Sequence, residues 1–112
     1  MNVGDVVWVE FPPGAGRAQA GRRPAIIAQA PQTSAALPTL LLIPLSSQQE
    51  ALRFPGTVLV EPEAANGLRR PSVALVFQLT AVDRRFVGSS VGSVSQTVMA
   101  SIWEALDEII GR

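Results

Sequence analysis

The chain has 112 residues, of which 47% are hydrophobic, and its nine basic and nine acidic residues give a net charge of zero. This composition predicts one globular domain over residues 1–112 and excludes a disordered chain. It contains no His, Cys or Tyr, and every basic residue is Arg. These absences exclude a Ser-His-Asp triad, a thiolate nucleophile, a lysine Schiff base and a His- or Cys-ligated metal within one chain.

Strands are predicted where β-branched and aromatic residues cluster between Pro, Gly and Ser. In chain order they span residues 5–11, 24–30, 39–45, 57–62, 72–82 and 84–92. The third, TLLLIPL, is apolar throughout, which indicates burial on both faces. The Asn-Gly pair at 66–67 marks a turn between the fourth and fifth strands.

The last segment changes to a helical period. Ser95 is a good N-cap, Gly111 fits the C-terminal end, and apolar residues between them recur at helical spacing. We therefore predict a mainly β fold with a C-terminal α-helix, in which the short strands form a small barrel.

Cellular location is predicted from what the chain lacks. There is no cysteine for a disulfide framework, no apolar run of the ~20 residues that a membrane helix needs, and no signal-peptide pattern at the N-terminus. We expect a cytoplasmic protein with no membrane partner.

A polar cluster is predicted where the second and third strands meet. Arg22 and Arg23 precede the second strand, and Ser46 and Ser47 follow the third. If these strands pair antiparallel, an arginine approaches a hydroxyl, and the pair could hold a phosphate and stabilise charge during phosphodiester transfer. The alternative at this point is an ordinary solvated turn.

The chain resembles the MazF/PemK/Kid family of bacterial toxin endoribonucleases. Five segments match in order: GDVVWVEF, GRAQAGRRPAII, IPLSSQ, VALVFQLTAVDRR and the terminal VGSVSQTVMASIWEALDEIIG. The resemblance implies an SH3-like barrel with a C-terminal helix, acting as a homodimer. It also implies sequence-specific cleavage of single-stranded mRNA without metal or cofactor, and neutralisation by a cognate MazE-like antitoxin that blocks the RNA groove. DNA would be contacted only through that antitoxin.

The resemblance also implies residue roles. The catalytic arginine falls on Arg23, and the family's threonine falls on Ser46, which keeps the hydroxyl but loses the methyl group that stiffens χ1. The 2′-hydroxyl would attack the phosphate, giving a 2′,3′-cyclic phosphate and a 5′-hydroxyl, with Arg23 stabilising the phosphorane and Ser46 bonding a phosphate oxygen. The RNA contacts expected around them are Gln19, Arg22, Ser47, Gln48, Gln78 and Arg84.

Two positions depart from the family pattern. Ala18 and Phe77 stand where many members carry carboxylates. The group that accepts the 2′-hydroxyl proton is therefore not assigned: it could be a perturbed Arg23, water or a carboxylate elsewhere. An arginine normally stays protonated, which makes it a poor base. The departures also keep open a non-catalytic toxin that contacts a topoisomerase, or a degenerate homologue that only binds.

The sequence also predicts where several aromatic residues and one arginine pair lie. Trp8 is expected in the core, and Phe11 and Phe54 are expected there rather than stacked on a base. Trp103 lies off the apolar stripe of the terminal helix, which favours a dimer or partner contact. The pair Arg69-Arg70 could contact phosphate or could be a solvated turn.

Overall fold

The computed structural model of the protein describes residues 1–11 and 21–112. Within these residues the chain forms seven strands and two α-helices. The strands are β1 Asp5–Phe11, β2 Gly21–Ile27, β3 Thr39–Ser46, β4 Thr57–Val60, β5 Ser72–Leu75, β6 Thr80–Asp83 and β7 Val87–Ser93. The helices are α1 Pro31–Ser34 and α2 Gln96–Ile110. The prediction of a mainly β fold closed by a C-terminal helix is confirmed.

The strands pair antiparallel in the order β4-β5-β3-β2-β1-β7, and β6 pairs with the first half of β3. The second half of β3 leaves β6 and pairs with β5, at Leu45↔Ala74 and Ser46↔Val73. β3 thus joins two sheets, which gives a barrel-like arrangement. Within residues 1–11 and 21–112 the path is open, because no ladder joins β4 to β7.

The sheet is buried on both faces at its centre. Side chains of adjacent strand residues point to opposite faces, so Val6 faces one apolar cluster and Val7 the other. The first cluster includes Ile26, Ile43 and Ile102 of α2, all fully buried. This double burial explains why β3 is apolar without alternation from Leu42 onward, as predicted, whereas Leu41 is 38% exposed.

Helix α2 begins and ends where the sequence indicates. The Ser95 hydroxyl accepts a hydrogen bond from the backbone N–H of Val98 at 3.1 Å, and Gly111 adopts a left-handed φ of 80° after the last turn. Met99 and Ile102 are buried against the sheet. The N-cap removes an unsatisfied donor and the glycine ends the helix without Cβ strain.

The expected long strand at 72–82 is divided. A 3₁₀ turn at Val76–Gln78 separates β5 from β6. The turn is fixed by a hydrogen bond from the Phe77 N–H to the Gly56 carbonyl at 3.1 Å and by one from the Leu79 N–H to the Val76 carbonyl at 3.0 Å. Because of this division, β5 pairs with the end of β3 and β6 pairs with its start.

The bounds of β2, β4 and β7 also differ from the prediction, and β4 ends at Val60, two residues early. β2 begins at Gly21, three residues before the prediction, because residues 21–23 pair with the far end of β1. It ends at Ile27, and Pro31 starts α1 soon after it. A 3₁₀ turn at Arg84–Phe86 precedes β7, which therefore starts at Val87.

Candidate functional site

A groove of about 370 Å³ lies where β2 begins and β3 ends, and we call it the arginine groove. The loop before β5 forms its other wall. Its arginine and serine lining consists of Arg22, Arg23, Ser46, Ser47, Arg69, Arg70 and Ser72. Arginine and serine side chains from three separate segments are thus brought together in one concave surface.

The pairing of β2 with β3 places the predicted arginine–serine pair. The strands are antiparallel with Ala25 opposite Pro44 and Ile26 opposite Ile43. Continued by two residues beyond Ala25, this register puts Arg23 opposite Ser46, and both line the groove. The antiparallel pairing on which the sequence argument depended is confirmed.

Ser46 is held in a fixed position at the floor of the groove. The residue is only 5% exposed, and its hydroxyl oxygen accepts a hydrogen bond from the backbone N–H of Gln48 at 3.1 Å. Because a hydroxyl can donate and accept at once, its proton stays available for an oxygen in the groove. The Gln48 bond restricts the hydroxyl in place of the methyl group that a threonine would supply.

The two adjacent arginines have different environments. Arg23 is half-buried, whereas Arg22 is exposed and its guanidinium lies over the Trp8 ring, 4.3 Å from the centroid. Trp8 itself is half-buried and lines the groove. The expectation that Trp8 belongs to the core is therefore wrong, because the β1 residues next to it fill the core and leave its ring beside Arg22.

Arg69 and Arg70 are exposed on the wall opposite β2. Together with Arg22 and Arg23 they give the groove four guanidinium groups, and no Asp or Glu lines it in the described part of the chain. A concave surface that carries charge of one sign concentrates ligands of the opposite sign. Guanidinium groups also match phosphate oxygens with paired donors. The groove is therefore suited to a polyanion.

The loop that carries Arg69 and Arg70 is organised by Asn66. This side chain is 2% exposed, and its Oδ1 accepts hydrogen bonds from the N–H groups of Glu63 and Leu68, each at 3.0 Å. Its Nδ2 donates to the Glu61 carbonyl at 2.9 Å. The Asn-Gly pair identified the turn, but nothing in the sequence distinguished this buried anchor from a solvated asparagine.

The other expected RNA contacts lie outside the lining of the arginine groove. Gln48 is exposed beyond Ser47, and Gln78 is half-buried in the turn between β5 and β6. The Arg84 guanidinium donates to the carbonyl oxygens of Ser34 and Leu37, so it ties the turn after β6 to α1 and to the loop before β3. Gln19 lies outside the described residues, as does Ala18.

The aromatic residues divide between core and surface. Phe11 is buried at 5% exposure, which confirms the expectation of a core role. Phe54 is 45% exposed, so the core prediction is wrong for it, and its ring packs edge-to-face on Phe77 at 5.7 Å between centroids. Trp103 is 37% exposed on α2.

A helix that crosses a membrane must be both long and apolar. Among the described residues, no helix meets both requirements.

Comparison with known proteins places these features in a family. Residues 2–110 match the family described as PemK-like, MazF-like toxin of type II toxin-antitoxin system. The chain is 28% identical over 111 residues to the endoribonuclease toxin MazF of Escherichia coli strain K12, covering 98% of this chain and 94% of that protein.

Solved structures share the fold. MazF from Deinococcus radiodurans superposes with a TM-score of 0.84 at 24% identity, covering 100% of this chain and 97% of that one. An endoribonuclease in complex with its cognate antitoxin from a mycobacterial species gives a TM-score of 0.77 at 16% identity, covering 99% and 95%. A MazE–MazF structure from Deinococcus radiodurans gives 0.78 at 24% identity, covering 99% and 96%.

Proposed function

Since this chain belongs to the PemK-like, MazF-like family of toxins of type II toxin–antitoxin systems, we propose that its arginine groove binds and cleaves single-stranded RNA. Its curated relatives are endoribonucleases, and the chain is an endoribonuclease toxin of the same kind. Residues 1–112 form one toxin domain in this proposal. The observation that carries it is that Arg23 and the hydrogen-bonded hydroxyl of Ser46 line one groove that also holds three further arginines.

The chemistry follows from these two groups. The ribose 2′-oxygen attacks the adjacent phosphorus, a new O2′–P bond forms, and the P–O5′ bond breaks. The products are a 2′,3′-cyclic phosphate and a 5′-hydroxyl. Negative charge on the non-bridging oxygens rises in the transition state, where Arg23 pairs with it and the Ser46 hydroxyl donates a hydrogen bond to one of these oxygens. Neither step requires a metal or a cofactor.

Proton transfer accompanies both bond changes. The 2′-hydroxyl loses a proton and the leaving 5′-oxygen gains one. In the described part of the chain no carboxylate lines the groove, so we assign both proton transfers to solvent water, which accepts the 2′-hydroxyl proton and supplies one to the leaving 5′-oxygen. Positioning and charge stabilisation by Arg23 and Ser46 then supply most of the rate acceleration.

The remaining arginines bind the RNA chain on either side of the reacting phosphate. Arg22, Arg69 and Arg70 contact phosphates, and Ser47 adds a hydroxyl at the same edge. Gln19, Gln48 and Gln78 contact base edges, and Arg84 contacts the RNA farther along its chain. Unpaired bases leave these edges accessible, so the substrate is single-stranded.

The basic charge of the groove and the exposed apolar side chains indicate the partners of the chain. An acidic segment of a MazE-like antitoxin covers the arginine groove, and DNA is bound only through that antitoxin. A homodimer buries the apolar surface formed by Phe54, Phe77 and Ile109, which are 45%, 40% and 41% exposed, together with Trp103. The complex acts in the cytoplasm.

Cleavage in a metal chelator tests the activity. Purified chain is incubated with long single-stranded RNA in EDTA, and the new ends are mapped. We expect cuts at a short sequence motif, reduced about 10²–10³-fold by Arg23→Ala. Arg112→Ala, at the C-terminus, is the matched control and leaves the rate unchanged. Cleavage that needs Mg²⁺, or that is undiminished in Arg23→Ala, contradicts the proposal.

A further inference from the structure

A second hollow of about 340 Å³ lies on the other side of Trp8 from the arginine groove. It is bordered by the ends of β1 and β2 and by the start of β7. Trp8 and Arg22 line both the groove and this hollow. A linear ligand that occupies the groove can therefore continue past the Trp8–Arg22 stack into the second hollow.

An irregularity in the β1–β7 ladder leaves room for this hollow. Val7 pairs with Ser90 and Val9 with Val87, so two residues of β7 oppose Trp8 alone. One of them is Gly88, where a Cβ would lie 3.3 Å from the Trp8 carbonyl oxygen and 3.8 Å from its Cβ. Such bulges bend a strand locally and occur next to functional sites.

Flat surfaces flank the hollow. The Arg22 guanidinium covers Trp8 at 4.3 Å, and the Arg85 guanidinium covers Phe86 at 5.1 Å. Arg85 also forms an ion pair with Asp83 at 3.5 Å, which holds it near the ring. Unpaired RNA bases stack on aromatic rings and on guanidinium planes. The lining is thus suited to a base rather than to a bare phosphate.

Glu10 gives the hollow chemical selectivity. It is exposed, it lines the hollow, and it lies opposite Arg22 in the β1–β2 register. An ionised carboxylate repels phosphate and only accepts hydrogen bonds. Guanine presents two adjacent donors, N1–H and N2–H, that match its two oxygens, whereas uracil presents a single N–H between two carbonyls.

We propose that the second hollow is a nucleotide subsite next to the scissile phosphate, in which Glu10 selects an amino-bearing base, guanine above all, and rejects uracil. The subsite rests on the proposed function, because it extends the RNA path from the arginine groove. It deepens that function by assigning part of the sequence specificity to Glu10, Trp8 and Phe86.

Binding of uncleavable RNA tests the subsite separately from catalysis. The probes are two labelled 2′-O-methyl pentanucleotides, one all uracil and one with a central guanine, measured by fluorescence anisotropy with the full chain. We expect about five- to a hundredfold tighter binding of the guanine probe, the discrimination of one bidentate contact. Glu10→Gln should reduce that ratio to about twofold, and Glu50→Gln, at an exposed acid elsewhere, should leave it unchanged.

A tryptophan signal locates the bound base. The chain has two tryptophans, so its NMR spectrum contains two indole N–H resonances, which the Trp103→Phe variant assigns. The Trp8 resonance should shift with the guanine probe more than with the uracil probe. Equal binding of both probes, an unchanged ratio in Glu10→Gln, or a silent Trp8 resonance overturns the subsite.

The cleavage map separates this inference from the proposed function. If wild type cuts RNA and Glu10→Gln cuts the same motif with the same preference, the subsite is wrong and the function stands. If wild type cuts no RNA but binding shows the Glu10-dependent preference, the nuclease proposal fails and the second hollow stands as a base-selective RNA-binding site. Binding of an acidic peptide at Trp8 in preference to both RNA probes indicates a protein-contact surface and also overturns the subsite.

Discussion

Replacing Asn66 with alanine removes three hydrogen bonds from the turn that carries the Arg69 wall of the groove. Two backbone N–H groups, of Glu63 and Leu68, lose their acceptor, and the Glu61 carbonyl loses a donor. Each buried group left unsatisfied costs about 1–3 kcal/mol. Because the exposed ends of the turn admit some water, we expect a loss of about 2–4 kcal/mol in the free energy of unfolding.

That loss is large against the ~5–15 kcal/mol of a typical domain. At about 4 °C for each kcal/mol in a chain of this size, the melting temperature should fall by roughly 8–16 °C. The chain offers a matched control, since Asn2 is its other asparagine and is exposed. Asn2→Ala should shift the melting temperature by no more than about 2 °C.

Thermal unfolding followed by circular dichroism measures both variants. At a temperature where Asn66→Ala stays folded, its affinity for single-stranded RNA should also fall, because the opposite wall of the groove is no longer held. Equal melting temperatures for Asn66→Ala and Asn2→Ala would refute the anchoring role. A destabilised variant with unchanged RNA affinity would refute the link between the turn and the groove.

Three further pairs of variants test the fold and the groove. Gly67→Ala should lower the melting temperature more than Gly111→Ala does. Both glycines have a φ of 70–80°, but only at Gly67 would a Cβ lie 2.4 Å from a β7 carbonyl oxygen. Equal melting temperatures would contradict this. Arg69→Ala should lower the slope of log affinity against log salt by about 0.7 for single-stranded RNA, and Arg112→Ala should not. Ser46→Ala should slow RNA cleavage by about 10²-fold and Ser46→Thr by only a few-fold, measured under single-turnover conditions; equal rates would remove Ser46 from the mechanism.

The strands and the terminal helix were predictable because their signals are local. Alternating or continuous apolar runs fix the faces of β1 and β3, and Ser95 and Gly111 mark the ends of α2. The division at Val76–Gln78 was less predictable, since it depends on which half of β3 each segment pairs with. That choice is tertiary and leaves no local pattern in an apolar run.

The candidate site was predictable only in part. Arg23 and Ser46 were brought together by the register of neighbouring strands, which sequence order and polarity indicate. The contributions of Trp8, Arg69 and Asn66 depend on loops that approach from distant parts of the chain. A tryptophan in a strand usually packs in the core, and an asparagine in a turn is usually solvated. The roles of Trp8 and Asn66 at the groove therefore became evident only from the fold.

In the proposed reaction, the RNA's own 2′-hydroxyl is the nucleophile in the arginine groove. An oligonucleotide that contains the mapped motif is compared with the same oligonucleotide carrying one 2′-deoxy residue at the scissile position, and the products are analysed by mass spectrometry. We predict that the all-ribo substrate gives a 5′-hydroxyl fragment and a fragment whose mass is one water below a 3′-phosphate, and that the deoxy substrate stays intact. Cleavage of the deoxy substrate at the same bond would contradict the account.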